Sequence, residues 1–242
     1  MKVSGQELLT PVYLKTGDDM EWPEDESVFH LLTGDGLFLC RNHPFFRSST
    51  PVERGPAELA AHEPFIKLNY PKIPAEMFET VVGFFDLIGS KFGAEAAVLF
   101  AWNRKTEQIE LVVPPQESVV GKTWTGRPFP INVYYDVPDL PDELIFLGDA
   151  HCHVEEAAFA SKTDIDDEID RPGIHIIVGR IDEEPPEIHI DVTVDGSRFH
   201  VRNSAAVIEG YQARRTDNIP SEWIDRVTVL PWSTKNHTSH KS

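Results

Sequence analysis

Between Pro74 and Gly93 the residues Phe78, Val81, Val82, Phe85 and Ile88 recur at spacings of three and four, the stripe of an amphipathic helix over 75–90. The period then shortens. "EAAVLFAW" and "QIELVVP" are β-like runs joined by the polar connection Asn103–Glu107, of hairpin length. Further on, "ELIFLGDAHCH" and "GIHIIVGRI" have the near-continuous apolar character of buried strands. "EIHIDVTV" and "RFHVR" flank Asp195-Gly196 as a further hairpin.

Outside this block the pattern is weaker. Residues 1–72 are interrupted by Pro and Gly, and their clearest element is a hairpin around Thr33-Gly34-Asp35-Gly36, with one short helix expected around Ala57–Ala61. Residues 114–143 are Pro-rich and aromatic, so one strand near Ile131–Tyr135 and a substantial loop are expected there. The tail after Ser204 has room for short helices, and its last ten residues carry no packing signal. This divides the chain into an N-terminal module of residues 1–72, a main domain of 73–202 and a C-terminal extension of 203–242, partly disordered.

Composition narrows the function classes. Acidic residues outnumber basic ones by 40 to 22, a formal charge of -18 that opposes phosphate backbones and anionic membranes, so nucleic acid and membrane surfaces are not expected partners. Cys40 and Cys152 are too few for a disulfide framework, and no run combines a basic start, an apolar core and a cleavage site. A cytoplasmic location is expected.

The chemistry concentrates where the apolar run "LIFLGDAHCH" meets a row of acids. His151, His153, Ser161 and Asp164 follow the pattern His-x-His, seven residues, Ser-x-x-Asp. Positions two apart on a strand project to one side, so both imidazoles can face one point, and a turn or helix start can return Asp164 to it. Two nitrogens and one carboxylate oxygen suit Zn2+ and leave a fourth position for water, the arrangement of a hydrolytic site. Cys152 alternates to the opposite face. His175, His189 and His200 stand at no ligand spacing, and Asp166, Asp167, Glu168 and Asp170 form an acidic turn expected to be solvated.

These residues resemble the JAMM (MPN+, JAB) zinc metallopeptidase family, whose signature is an upstream Glu followed by His-x-His-x7-Ser-x-x-Asp. The resemblance covers about residues 73–202. It implies an α/β fold with a mixed, mostly antiparallel sheet flanked by helices, of the cytidine-deaminase-like kind, beside a small α+β N-terminal extension. In the family a helix precedes the Glu, which opens the first catalytic strand; Glu95 holds that place here, while Glu107, Glu110 and Glu117 fit it less well. The resemblance also implies one Zn2+ on His151, His153 and Asp164, Glu95 as the base, and Ser161 as donor to the developing oxyanion. Val154 and Ala160 stand where many relatives carry proline.

The implied activity is peptide or isopeptide cleavage after the C-terminus of ubiquitin or a ubiquitin-like modifier, with Trp124, Phe129 and Tyr134 of the long loop as tail-binding residues. The sequence after the motif is similar to bacterial members, which points to a prokaryotic conjugation-like system, one serving phage defence, with E1/E2-like enzymes as partners. Two alternatives remain open at this point: release of an amino acid from a sulfur-carrier protein, and a non-catalytic MPN scaffold.

Overall fold

The computed structural model describes residues 10–217 and 219–232. The chain forms two compact units that divide between Pro64 and Phe65, not at residues 72/73.

The first unit is a four-stranded sheet of β1 (Val12–Leu14), β2 (Val28–Thr33), β3 (Gly36–His43) and β4 (Phe46–Pro51) in sequence order, β1 running parallel to β2. The expected hairpin forms with Thr33 opposite Gly36, whose φ of 121° lies where glycine is favoured. Phe29 fills its small core, meeting Tyr13 and Trp22 edge-on. The helix expected at Ala57–Ala61 is absent. A turn closed by the Leu59 amide on the Pro56 carbonyl stands there, and residues 57–61 are exposed, so a helix would have had no face to bury. The unit is therefore β rather than α+β among the described residues.

The second unit begins with α1 (Ala75–Phe92), which Gly93 ends in the left-handed conformation by donating to the Gly89 carbonyl. Next come β5 (Ala97–Asn103), β6 (Gln108–Val112), β7 (Gln116–Lys122), β8 (Pro128–Tyr135) and β9 (Leu144–Cys152). They are followed by α2 (Lys162–Glu168), β10 (Gly173–Gly179), β11 (Glu187–Val194), β12 (Ser197–His200), α3 (Ser221–Asp225) and β13 (Val227–Pro231). Six strands make a mixed sheet in the order β12-β11-β10-β9-β5-β6, in which only β9 and β10 are parallel. The unit is α/β with mixed sheets and few helices. None of the described helices is long and apolar enough to cross a membrane.

Strand alternation gives the large sheet two unlike faces. Val98, Phe100, Ala150, Cys152, Ile174, Ile176, Ile190 and Val192 join the helix stripe of Phe78, Val81, Val82, Phe85 and Ile88 in one hydrophobic core. The opposite face presents Asp149, His151, His175, Asp191 and Thr193, all buried. Burial of that many polar groups requires partners, and these place the candidate site described below.

The segment 114–143 is more ordered than its prolines suggest. Instead of one strand and a long loop, β7 and β8 form an antiparallel hairpin, and β13 arrives from more than a hundred residues away to pair in parallel with β7. Pro128 and Pro130 fall on β8, an edge strand where a missing N–H costs least. The tail is also no separate extension. Ile208 bridges to Ile73, Trp223 packs edge-on against Phe84 with ring centroids 5.5 Å apart, and the Glu79 carboxylate accepts from the Gln212 amide and Arg215 Nε at 2.8 Å each. The expected disorder of the last ten residues lies outside the described residues.

Where the tail crosses α1, any side chain at Gly83 would overlap the Arg215 carbonyl. Gly83→Val should therefore lower the unfolding free energy by about 1–3 kcal/mol in urea titrations and expose Arg214 and Arg215 to trypsin. The hydrogen bond from Arg215 holds the Glu79 carboxyl below its ordinary 4.5, against a smaller opposing effect of burial. A depressed folded value stabilises the protein above that pH. Glu79→Gln should be destabilised at pH 7 in thermal melts, with the difference from wild type shrinking as pH falls below 4.5.

Candidate metal centre

His151 lies near the end of β9 and His153 follows the strand, on the same face, with their Nε2 atoms 3.3 Å apart. The Asp164 carboxylate faces both rings: Oδ1 is 3.4 Å from His151 Nε2, and Oδ2 is 3.5 Å from His153 Nε2. Bonds of about 2.0–2.1 Å to a tetrahedral zinc put neighbouring ligand atoms about 3.3–3.4 Å apart. The separation of the two imidazole nitrogens fits that polyhedron, each carboxylate oxygen stands at a comparable distance from one imidazole, and all three separations are longer than good N–H···N or N–H···O hydrogen bonds. His153 Nδ1 lies 3.2 Å from the Ala157 carbonyl, which can only accept, so Nδ1 carries the proton and Nε2 offers its lone pair.

Local structure delivers each ligand. After His153 the chain turns through Val154 at φ 51°, a strained conformation for a β-branched residue, held by the Ile181 amide donating to the Val154 carbonyl at 2.7 Å. Asp164 comes from the first turn of α2 in a capping box: Ser161 Oγ accepts from the Asp164 amide at 3.2 Å, and Asp164 Oδ2 accepts from the Ser161 amide at 2.7 Å. Ser161 is thus the cap that orients a candidate ligand, and its O–H can still donate.

The electrostatics suit a cation. Burial pushes the Asp164 carboxyl up, but the adjoining His151 and His153 rings and the hydrogen bond from the Ser161 amide outweigh it and hold the group well below the usual carboxylate range. Burial lowers His151, yet the adjoining Asp164 carboxylate and the charge of Glu95 raise it to about 9. A divalent cation competes for the same lone pair as that proton. Glu95, half-buried just before β5, is raised to about 7 by desolvation, opposed by His151 and His153.

α2 is bolted to the polar face of the sheet by charged groups. His175 Nδ1 faces Asp149 Oδ1 at 3.0 Å, and its Nε2 lies 3.0 Å from the Arg171 carbonyl and 2.9 Å from Thr193 Oγ1, surroundings that favour a positive charge on the ring. Burial opposes this charge, but the charge and hydrogen bond of Asp149 outweigh burial and raise His175. Arg171 Nη2 reaches Asp149 Oδ2 at 3.2 Å, and Arg198 joins Glu168 at 2.6 Å to Asp191 at 2.9 Å. Asp149, Glu168 and Asp191 are thereby matched by His175, Arg171 and Arg198. Glu168 belongs to this buried network and not to a solvated turn; Asp166, Asp167 and Asp170 are exposed as expected.

Two other His/carboxylate groups lie close together and fit a metal poorly. His189 and His200 flank Asp191 at 2.9 and 3.1 Å, hydrogen-bond lengths, and Arg198 already occupies that carboxylate. In the group of Asp149, Glu168 and His175, both carboxylates are neutralised by arginines. Burial raises the Cys152 thiol to about 12, on the core face and unsuited to nucleophilic attack.

A cavity of about 730 Å3 opens beside His151 and Asp164, between α2 and the β7–β8 hairpin, and Tyr134 lines it. The other two aromatic candidates lie elsewhere: Trp124 is 97% exposed in the hairpin turn, and Phe129 lies across Gly121 beside a different cavity. Among the competing acids, Glu117 lines the first cavity, whereas Glu107 is in a turn and Glu110 is hydrogen-bonded to Asn103. The Asp149–His175 pair and the arginines escaped sequence reasoning because they are scattered over residues 149–198 without motif spacing.

No protein-family model matches the sequence, and a search of curated proteins returns no match. Elemental analysis of the purified chain after incubation with zinc should find close to one zinc per chain, lost in His153→Ala. A metal-free wild type would remove the metal reading.

Proposed function

We propose that this chain is a zinc-dependent peptidase or isopeptidase of JAMM type, with a JAB/MPN-like second unit, that cleaves after the C-terminus of a ubiquitin-like modifier. The observation that carries the reading is the convergence of two imidazole nitrogens, 3.3 Å apart, on the Asp164 carboxylate, whose two oxygens each lie 3.4–3.5 Å from one of them. Zinc bound there would polarise a scissile carbonyl and acidify a water molecule.

The remaining steps fall to the chain's own groups. A carboxyl raised to about 7 can take a proton and return it to a departing amine near neutral pH, which suits Glu95 to acid–base work. Ser161, whose Oγ accepts from the Asp164 amide, keeps an O–H that would donate to a developing oxyanion. β8 is the free edge of its sheet and carries Tyr134 along the cavity wall, so an extended modifier tail can add to it as a further strand. Glu117, Asp136, Asp167 and Asp225 also line this cavity, which favours a tail bearing basic residues. A place in a prokaryotic conjugation-like system, beside E1/E2-like enzymes, belongs to the same proposal.

Zinc-loaded wild type should cleave one member of a panel of ubiquitin and bacterial ubiquitin-like proteins carrying a C-terminal reporter. Glu95→Gln should lose at least about 100-fold in kcat while keeping its zinc. Equal cleavage by wild type and Glu95→Gln would overturn the assignment of the base.

A further inference from the structure

We infer that Gln116 and Ser118 are positioning residues that hold the backbone of Glu95 in its working place. The inference rests on the proposed hydrolase reading.

The need for them follows from where strand pairing stops. β6 accompanies β5 only from Asn103 opposite Gln108 to Leu99 opposite Val112, after which Pro114 and Pro115 carry the chain away. Ala97 pairs with His151 of β9, but its own N–H and C=O point away from β9 into the gap that β6 leaves. The side chain of Gln116 fills that gap. Its Oε1 accepts from the Ala97 amide at 2.7 Å and its Nε2 donates to the Ala97 carbonyl at 3.0 Å, the two bonds that a neighbouring strand would have made. Two residues on, Ser118 Oγ donates to the Glu95 carbonyl at 2.7 Å. From the other side, the Ala96 carbonyl accepts from the Cys152 amide at 3.2 Å.

Glu95 itself stands between the end of α1 and the start of β5, outside both elements. Its backbone is therefore fixed by these side chains and not by a helix or strand ladder of its own. Gln116 and Ser118 are buried, at 3% and 0% exposure, a costly place for an amide and a hydroxyl unless each is satisfied. The strand that carries them also builds a wall of the substrate cavity through Gln116 and Glu117. The strand beside the one that would receive the modifier tail is thus tied to the backbone of Glu95 and Ala97.

The test uses the full zinc-loaded chain and the reporter fusion that wild type cleaves. Gln116→Ala and Ser118→Ala should each lower kcat about 10–100-fold with KM changed less than about twofold and zinc content unchanged, because a base displaced by about 1 Å acts on the bound substrate and not on its binding. Hydrogen exchange should show the Ala97 amide losing protection in Gln116→Ala while the Ala101 amide keeps it. Ser118→Ala removes a single hydroxyl and keeps the test open where Gln116→Ala fails to fold. Unchanged kcat in a folded variant, or loss of zinc in step with activity, overturns the positioning role while wild-type cleavage leaves the hydrolase reading standing. A zinc-loaded wild type that cleaves no fusion overturns the hydrolase reading and this inference with it.

Discussion

The second unit depends on mutual neutralisation of charge beneath α2. A sheet face bearing Asp149, His151, His175 and Asp191 cannot be covered by apolar residues, because each buried charge would lack a partner at a cost of several kcal/mol. α2 and the residues after it answer with Glu168 and Arg171, and the β11–β12 hairpin adds Arg198. Loss of one member leaves its counterpart buried and unpaired. The helix consequently has little freedom to slide, and Asp164 in its first turn inherits that constraint.

The candidate centre draws its geometry from two sources of rigidity that meet at one point. On one side, β9 lies in the middle of the six-stranded sheet and aims two imidazoles in the same direction. On the other, a helix of less than two full turns is held by its cap at one end and by the ionic network at the other. Because Ser161 caps the helix through Asp164 itself, the interaction that starts the helix also turns the carboxylate toward the histidines. Glu95, close enough for His151 and His153 to influence its carboxyl, has its backbone carbonyl held by Ser118 of β7.

Parts of this organisation were legible in residue order. The stripe of α1, the β5–β6 and β11–β12 hairpins and the facing of His151 and His153 follow from local periodicity, which side-chain direction obeys closely. The segment 114–143 was harder: Val119 and Val120 form a run too short to announce β7, and the partner that completes its sheet, β13, lies at the far end of the chain. The tail likewise carried no signal of its own attachment, since Trp223 on Phe84 and Arg215 on Glu79 are contacts between segments more than a hundred residues apart. The small helix expected at Ala57–Ala61 failed for the opposite reason: its composition permits a helix, but nothing packs against it.

The sequence by itself determined the candidate ligands, because the projection of alternate strand residues and the reach of a capped helix are local properties of a short chain segment. Glu95 was marked only through the resemblance to a known motif, in which a helix precedes the acid and a strand follows it. Only the tertiary structure decided how far apart the three ligand atoms stand, which acids are buried and paired, and which of Trp124, Phe129 and Tyr134 shares a cavity with the site. It alone brought Gln116 and Ser118 to the backbone of Glu95. Those outcomes depend on pairings between distant segments, and the energy that selects them comes from burying groups that have no relation in sequence.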